Sequence, residues 1–263
     1  MAARSPYQVE HAAAVRVARE AGELLLEMQG LLRTIDFKGQ SDLVTDADRA
    51  SEKLVAERLA EAFPADGLLG EETGYSVTAS ASDRLWVVDP LDGTTNYAHG
   101  FPIFAVSIGL IVGGTVEVGA VFVPSLDEMF SAERGQGARL NGREIAPSAC
   151  DDVQNALLCS GFPYAVEERE QAFEHWRTFT LASRAVRRIG SAAYDLCCVA
   201  CGRFDGYWER GPAAWDLAAG SLIVTEAGGL VSDFSAGVFD PFGREVLAAC
   251  PGIHEQMCAL LSG

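Results

Sequence analysis

The sequence predicts a mixed helix-and-sheet fold, α+β / α/β in class, with helices packed on β-sheets. Apolar residues recur at helical spacing from Val9 to Met28, and two β-branched runs flank the pair Gly113-Gly114. After about residue 150, helical and strand-like stretches alternate along the chain. With 263 residues, the chain suits one large domain or two closely packed halves, which we place at 1–149 and 150–263. The first half is predicted to contain helices plus an antiparallel sheet and the second a smaller α/β layer, both forming one catalytic unit.

Two helices are predicted near the N-terminus. The first runs from about Val9 to Met28 and is closed by Gly30. The second follows the segment Thr45–Asp48, which resembles a capping box and places a carboxylate in the first turn. It continues to Phe63, because Pro64 cannot extend a helix.

A long apolar stretch from Pro102 to Val123 predicts a buried hairpin. These 22 residues carry a single charge, Glu117, and are long enough to span a membrane. However, the central Gly113-Gly114 and the β-branched residues favour two strands, 105–112 and 115–123, joined by a two-residue turn. Apolar residues on both faces predict that this sheet is covered on both sides.

The remaining elements are predicted from shorter patterns. A strand at 85–89 ends in an acid, and glycine turns at 135–137 and 141–142 predict another hairpin. The second half has the following predicted elements: helices near 168–182, 191–201, 216–227 and 253–261, and strands near 156–159, 205–208, 229–233 and 246–249.

Composition and charge exclude several functional classes. Apolar residues make up 49% and charged residues 22%, which excludes a largely disordered chain. A net charge of −17 argues against direct nucleic-acid binding and against adhesion to an anionic membrane. The G-x-S-x-G, Walker A and dinucleotide-binding motifs are absent from the sequence, so serine-hydrolase, P-loop and Rossmann activities lose support.

The seven cysteines and the N-terminus predict a cytoplasmic protein. The odd number of cysteines and their apolar surroundings indicate reduced thiols in a core. The pair Cys198 and Cys201 lacks the further ligands that a zinc site needs. Charged residues such as Glu10 and Arg16 interrupt any secretory signal.

Acidic residues at the ends of strands and helices indicate the chemistry. They form four groups: Asp46 with Asp48, Glu71 with Glu72, Asp89 with Asp92, and Asp216 after Trp215. Clustered carboxylates repel each other and lose hydration, a cost that a divalent cation such as Mg²⁺ relieves. After Asp92, the segment Gly93-Thr94-Thr95 can turn backbone N–H groups toward an anion. The pattern predicts metal-assisted phosphoryl chemistry.

Four segments also resemble motifs of the inositol monophosphatase family, in the family's order along the chain. The motifs are the early segment Asp42–Asp48, the acidic motif Gly70–Glu72, the central signature Asp89–Tyr97 and the downstream motif Trp215–Gly220. This resemblance implies the layered αβαβα sandwich of the sugar-phosphatase type, and an enzyme that often forms homodimers.

The resemblance implies two or three Mg²⁺ ions held by named residues. Glu71, Asp89 and the backbone carbonyl of Leu91 would bind the first ion. Asp89, Asp92 and Asp216 would bind the second, and Glu71 would reach a weaker third ion through water. Bound cations would also make the site locally positive, which explains how a chain of net charge −17 can attract a phosphate.

The resemblance further implies the residues that act on the substrate. Thr94 with Asp48 would activate the attacking water, so no phosphoenzyme is predicted. The substrate contacts would be Asp92, Gly93, Thr94, Ser191, Ala192, Glu209 and Asp216. Within this set, the Gly93 and Thr94 amides would hold the phosphate and Glu209 would accept hydrogen bonds from substrate hydroxyls. Lys38 would lie on a flap near the metals.

These observations predict a phosphoric monoester hydrolase that acts on a small polyol phosphate through metal-activated water, and the resemblance implies that Li⁺ inhibits it. myo-Inositol 1-phosphate is the leading substrate by resemblance. The segment Gly211–Ala214 lacks a histidine that some animal members have. The identity of the polyol in the substrate therefore stays open. Fructose 1,6-bisphosphate, histidinol phosphate and 3′-phosphoadenosine compounds are alternative substrates. A transcription-antitermination accessory protein is the alternative from another class.

Overall fold

Seven helices are present in the residues that the computed structural model describes, namely 6–29, 35–37, 43–72, 74–76, 83–163 and 165–262. The helices are α1 (Gln8–Met28), α2 (Asp46–Ala62), α3 (Thr94–Ala98), α4 (Arg169–Ala182), α5 (Ala192–Ala200), α6 (Ala214–Ala227) and α7 (His254–Ser262). Within these ranges, every helix is too short or too polar to cross a membrane.

The strands form a small two-stranded sheet and two larger sheets. In chain order they are β1 (Ile35–Phe37), β2 (Leu43–Thr45), β3 (Gly67–Gly70), β4 (Gly74–Ser76), β5 (Arg84–Asp92), β6 (Ala105–Val112), β7 (Thr115–Val123), β8 (Glu128–Glu133), β9 (Ala138–Leu140), β10 (Arg143–Glu144), β11 (Leu157–Ser160), β12 (Ala185–Arg187), β13 (Gly206–Arg210), β14 (Leu230–Ser232) and β15 (Glu245–Ala249).

The first large sheet has eight strands in the order β10-β9-β8-β7-β6-β5-β3-β4. Neighbouring strands are antiparallel except for β3 and β5, which are parallel. The predicted hairpin is confirmed as β6 and β7, with Gly113 and Gly114 between them at φ values of 56° and 82°. Positive φ at both turn residues matches the right-handed twist of the flanking strands and favours glycine.

The second large sheet has five strands in the order β12-β11-β13-β15-β14. Strand β11 is parallel to both β12 and β13, whereas β15 is antiparallel to β13 and β14. Helices alternate with these strands along the chain, as the sequence after residue 150 predicts.

The helices and sheets stack as a layered αβαβα sandwich, which confirms the predicted fold class. Helices α1 and α2 cover one face of the eight-stranded sheet, and α6 packs on its other face. Helix α5 contacts both α6 and the five-stranded sheet, whose far side is covered by α4 and α7. Separate apolar clusters fill the outer layers, and one large cluster fills the middle.

Two glycines of the hairpin allow α6 to approach the sheet closely. A Cβ on Gly119 would lie 2.7 Å from the carbonyl oxygen of Ala219, and one on Gly109 would lie 3.0 Å from the Cβ of Ala218. Because α6 carries Asp216 in its first turn, this close packing fixes the depth at which that acid enters the site.

Several elements differ from the sequence prediction. Strand β5 extends beyond the predicted 85–89 to include Asp92, and the short elements β3, β4, β12 and α3 were not predicted. The parallel pairing of β3 with β5 also makes the first sheet mixed rather than purely antiparallel. The four elements that were not predicted, β3, β4, β12 and α3, have three to five residues each. Such short segments show no periodicity, and tertiary contacts stabilise them.

Candidate active site

A cavity of about 790 Å³ opens where the chain's acidic segments meet. Its walls come from β5 and the turn after it, the start of α5, the end of β13 and the start of α6. The carboxylates that line it are Glu71, Asp89, Asp92, Asp195, Glu209 and Asp216. The structure therefore brings together acids that are separated by up to 145 positions in the sequence.

Asp89 and Asp92 lie at the end of β5, on either side of an irregularity in its pairing with β6. Asp89 accepts a hydrogen bond from the backbone N–H of Leu91 at 2.9 Å. The two acids are only 2% and 7% exposed. Their carboxylate oxygens lie within 4.8 Å of one another and of an Asp216 oxygen. The predicted ligands of the second Mg²⁺ thus form one compact group.

The start of α5 holds Asp92 in place. The Ser191 hydroxyl donates to its Oδ2 at 2.7 Å, and the Ala193 amide donates to the same oxygen at 2.8 Å. The Ala192 amide donates to Oδ1 at 3.2 Å. Ser191 and Ala192, which the resemblance placed beside the substrate, therefore lie at the cavity wall and contact Asp92.

Asp216 reaches the same group from the first turn of α6. Its Oδ2 accepts the backbone N–H of Ala213 at 2.7 Å. Burial and the nearby charge of Asp92 raise the pKa of Asp216 to about 7. A position at the first turn also favours the ionised form, because helix N-termini attract negative charge.

A second acidic group consists of Asp48, Glu71 and Glu72, again with carboxylate oxygens within 4.8 Å of one another. Asp48 is buried in the first turn of α2. The Thr94 hydroxyl donates to the Leu91 carbonyl at 2.9 Å and lies 3.5 Å from Asp48 Oδ2. The predicted water-activating pair is therefore adjacent to both acidic groups.

The electrostatics of these groups fit a bound divalent cation. Burial, followed by the charges of Glu71, Asp92 and Asp216, raises the pKa of Asp89 well above its usual range. Every donor in the two groups is a carboxylate oxygen, the type of ligand that hard cations such as Mg²⁺ prefer. A cation at this position would neutralise the mutual repulsion, so the residues fit the metal-binding role.

Glu209 lies at the end of β13, on another wall of the cavity. The hydroxyl of the fully buried Tyr207 donates to its Oε2 at 2.6 Å. Burial raises the pKa of Glu209 to about 7, and the bond from Tyr207 opposes this shift. Tyr207 thus fixes the orientation of Glu209, which accepts hydrogen bonds most strongly in its ionised form, above about pH 7.

Gly93 forms the turn between β5 and α3 and lines the cavity. Its φ of 89° favours glycine, and a Cβ there would lie 3.1 Å from the Ile103 carbonyl and 3.2 Å from the Gly190 carbonyl. The Asn96 side chain donates to the Ile103 carbonyl at 2.8 Å, which ties this turn to the next segment. Lys38, the predicted flap residue, lies outside the described residues.

Some residues of the site were not among the predicted site residues. Glu72 joins the second acidic group, and its position directly after Glu71 was the available signal. Tyr207 shares a strand face with Glu209, as any residue two positions away in a strand does. Asp195 is fully buried in α5 and lines the cavity, and nothing in its local sequence distinguishes it from a solvated acid.

The chain is similar to characterised proteins over most of its length. A sequence profile described as the inositol monophosphatase family matches residues 7–262. The Nus factor SuhB of Pseudomonas aeruginosa is 43% identical over 228 residues, which cover 84% of each protein. The inositol-1-monophosphatase of Synechocystis sp. is 40% identical over 244 residues, 92% of this chain and 85% of that protein. The structure of inositol monophosphatase from Anabaena (Nostoc) superposes with a TM-score of 0.89 at 38% identity, over 97% of this chain and 96% of the other.

Proposed function

Because the chain belongs to the inositol monophosphatase family, we propose that it hydrolyses a small polyol phosphate in a Mg²⁺-dependent reaction. The leading substrate is myo-inositol 1-phosphate. The Synechocystis relative is named an inositol-1-monophosphatase, which supports this choice. One observation carries the proposal: carboxylates from five separate segments of the chain line a single cavity. Family membership alone supports the coarser statement, a metal-dependent phosphatase.

In this proposal, five residues hold the metals. Glu71, Asp89 and the Leu91 carbonyl would hold one Mg²⁺, and Asp89, Asp92 and Asp216 would hold another. Glu71 would also reach a third ion through water. The chemistry that bound Mg²⁺ supplies is neutralisation of the phosphoryl and leaving oxygens and a lower pKa for a water molecule.

The chain's own side chains then orient the attacking water. Thr94 Oγ1 takes a proton from that water while its own hydroxyl proton turns from the Leu91 carbonyl and passes to Asp48 Oδ2, 3.5 Å away. Asp48 is thereby protonated, and the polyol oxygen that leaves regains a proton through solvent. The backbone amides of Gly93 and Thr94 face the phosphate and fix its position for an in-line attack.

Substrate selection is assigned to the cavity walls formed by the end of β13 and the start of α5. Glu209 accepts hydrogen bonds from the polyol hydroxyls, with Tyr207 fixing the carboxylate's orientation. The backbone of Ser191 and Ala192 lies alongside the polyol ring. A site built around a buried acceptor rejects analogues that lack the matching hydroxyl, because the acceptor is then left unpaired.

A substrate panel tests this proposal. Phosphate release is measured from myo-inositol 1-phosphate, fructose 1,6-bisphosphate, histidinol phosphate and a 3′-phosphoadenosine compound, each with Mg²⁺ and with a chelator. The expected result is the highest kcat/KM on the inositol phosphate and no release with the chelator. If kcat/KM is highest on one of the other three compounds, the proposed metal-dependent hydrolysis stands and that compound replaces the inositol phosphate as the substrate.

Three further properties belong to the same proposal. We expect a homodimer, which size-exclusion chromatography with light scattering measures directly. We expect Li⁺ to inhibit phosphate release in a titration at fixed Mg²⁺. We also place the protein in the cytoplasm, a location that its seven unpaired thiols support.

A second function is favoured by one specific observation, the 43% identity to a relative named Nus factor SuhB. In this alternative, the protein contacts the transcription machinery as an antitermination accessory. Its acidic surface suits protein contacts better than direct RNA contacts. Binding of the purified protein to RNA polymerase tests the alternative, and Asp92→Asn should leave such binding unchanged.

A further inference from the structure

One turn of α2 contacts several segments of the metal site at once. In addition to Asp48, it presents Ser51 and Glu52, which are 0% and 2% exposed. The Ser51 hydroxyl donates to the Pro90 carbonyl at 2.8 Å, directly after the ligand Asp89. Glu52 Oε2 accepts the backbone N–H of Glu72 at 2.8 Å.

Glu52 is also pressed against the backbone of Gly70. A Cβ built on Gly70 would lie 2.8 Å from Glu52 Oε2 and 3.1 Å from Oε1. The Gly70–Glu72 turn thus packs directly against the Glu52 carboxylate. Only glycine at position 70 leaves enough room for that carboxylate. Glu52 itself is in neither acidic group found among the described residues.

Burying a carboxylate is costly unless its hydrogen bonds are satisfied, so its retention here needs a reason. Two contacts of Glu52 supply one, because the Glu72 N–H and Gly70 lie in the segment that carries Glu71. We propose that Glu52 is a positioning residue: its contact with the Glu72 N–H, rather than its charge, aligns the Gly70–Glu72 turn for metal binding. This inference rests on the proposed function, since it takes Glu71 as a metal ligand.

Two conservative variants separate contact from charge. Glu52→Gln keeps the length and an acceptor oxygen but removes the charge. Glu52→Asp keeps the charge but withdraws the acceptor by roughly one carbon–carbon bond, about 1.5 Å. Glu61→Asp, on the exposed side of the same helix, is the matched control.

The probe is Mn²⁺ binding to the full-length protein without substrate, followed by calorimetry or by the electron paramagnetic resonance of free Mn²⁺. We expect Glu52→Asp to raise the Kd for Mn²⁺ about tenfold, the effect typical of residues that orient metal ligands. Glu52→Gln should stay within about twofold of the wild type, as should Glu61→Asp. At saturating Mg²⁺, the substrate KM of Glu52→Asp should be unchanged.

The reverse pattern, with Glu52→Gln weakened and Glu52→Asp normal, would overturn the proposal, as would equal losses in both. Gly70→Ala is the second variant should Glu52→Asp fail to fold, because its Cβ displaces the same carboxylate and should weaken Mn²⁺ binding likewise. A wild-type protein that binds no Mn²⁺ would overturn the metal site and this inference together. Failure of the substrate panel would leave the Mn²⁺ result standing.

Discussion

Asp92 is a carboxylate that has lost nearly all contact with solvent and lies beside two other acids. Burial raises its pKa, whereas the hydroxyl of Ser191 and the amides of Ala193 and Ala192 lower it. Those donors replace only part of the lost hydration. The remaining cost is tolerated because the site gains affinity for a cation, which is how buried acids are retained in metal sites.

Asp92→Asn is expected to lower kcat by more than about a hundredfold. Mutation of a residue that only orients a metal ligand already lowers activity by up to about a hundredfold, and Asp92 is proposed to be a ligand itself. The remaining oxygen can still accept from Ser191 and Ala193, so the fold should persist. Phosphate release and circular dichroism measure the two effects. Asp151→Asn, an exposed acid, is the control. Wild-type turnover in Asp92→Asn at modest Mg²⁺ would disprove the metal assignment.

Glu209→Ala is expected to lower kcat/KM for a polyol phosphate by about 10- to 100-fold, the range for a lost hydrogen bond to a charged group. The kcat/KM for an aryl phosphate, which has no hydroxyls for Glu209 to accept from, should change less than about threefold. Parallel steady-state measurements on the two substrates test this. Equal losses on both would argue that Glu209 supports the metals rather than the polyol.

Elements with a clear periodicity were predictable, and elements defined by their partners were not. The hairpin of β6 and β7 was predicted to the residue, because apolar β-branched runs and a glycine pair specify it locally. The strand β3 has four residues, two of them glycine, and exists because it pairs with β5. In the same way, motifs placed the acids and Ser191 at the site, but they did not predict that Ser191 and Ala193 donate to Asp92, which lies about 100 positions earlier.

Helix α6 links the stability of the first sheet to the position of Asp216. Gly119→Ala is expected to destabilise the protein by about 1–3 kcal/mol, because the new methyl group meets backbone atoms of Ala219. Gly109→Ala should cost less, since its nearest neighbour is the Cβ of Ala218 at 3.0 Å. Denaturant unfolding of both variants tests this order, and a larger loss in Gly109→Ala would contradict the packing described for α6.

The five layers of the protein bring the acidic motifs together around one cavity. Sequence order and motif resemblance predicted that the acids converge, but the cavity's walls depend on how α5 and β13 pack from the second half. A chain of charge −17 concentrates part of that charge at this point. Its stability should therefore depend on both protons and divalent cations.

Without metal, the protein is expected to lose stability as the pH rises from about 5 to 8. The carboxyls of Asp89, Asp92 and Asp216 have raised pKa values in the fold, about 7 for Asp216. The folded state then binds more protons than the unfolded state between about pH 4 and 7, so the free energy of unfolding falls as the pH rises. Calorimetric Tm values in a chelator should decrease across this range.

Mg²⁺ should raise the Tm more at pH 8 than at pH 5.5, because protons compete with the cation for the same oxygens. Asp216→Asn serves as the control. In this variant, both the fall in Tm with rising pH and the pH dependence of the Mg²⁺ effect on Tm should be smaller. A Tm that rises between pH 5 and 8 in the chelator would mean that these carboxyls are not held together in the folded protein.

We propose that these carboxylates hold divalent cations that enable phosphate ester hydrolysis. The most direct measurement is phosphate release from myo-inositol 1-phosphate by the purified protein after dialysis against a chelator, followed by titration with Mg²⁺. We predict no detectable release before Mg²⁺ is added, and full recovery with added Mg²⁺ in the wild type but not in Asp92→Asn. Release that persists in the chelator, or that Asp92→Asn recovers equally, would contradict the claim.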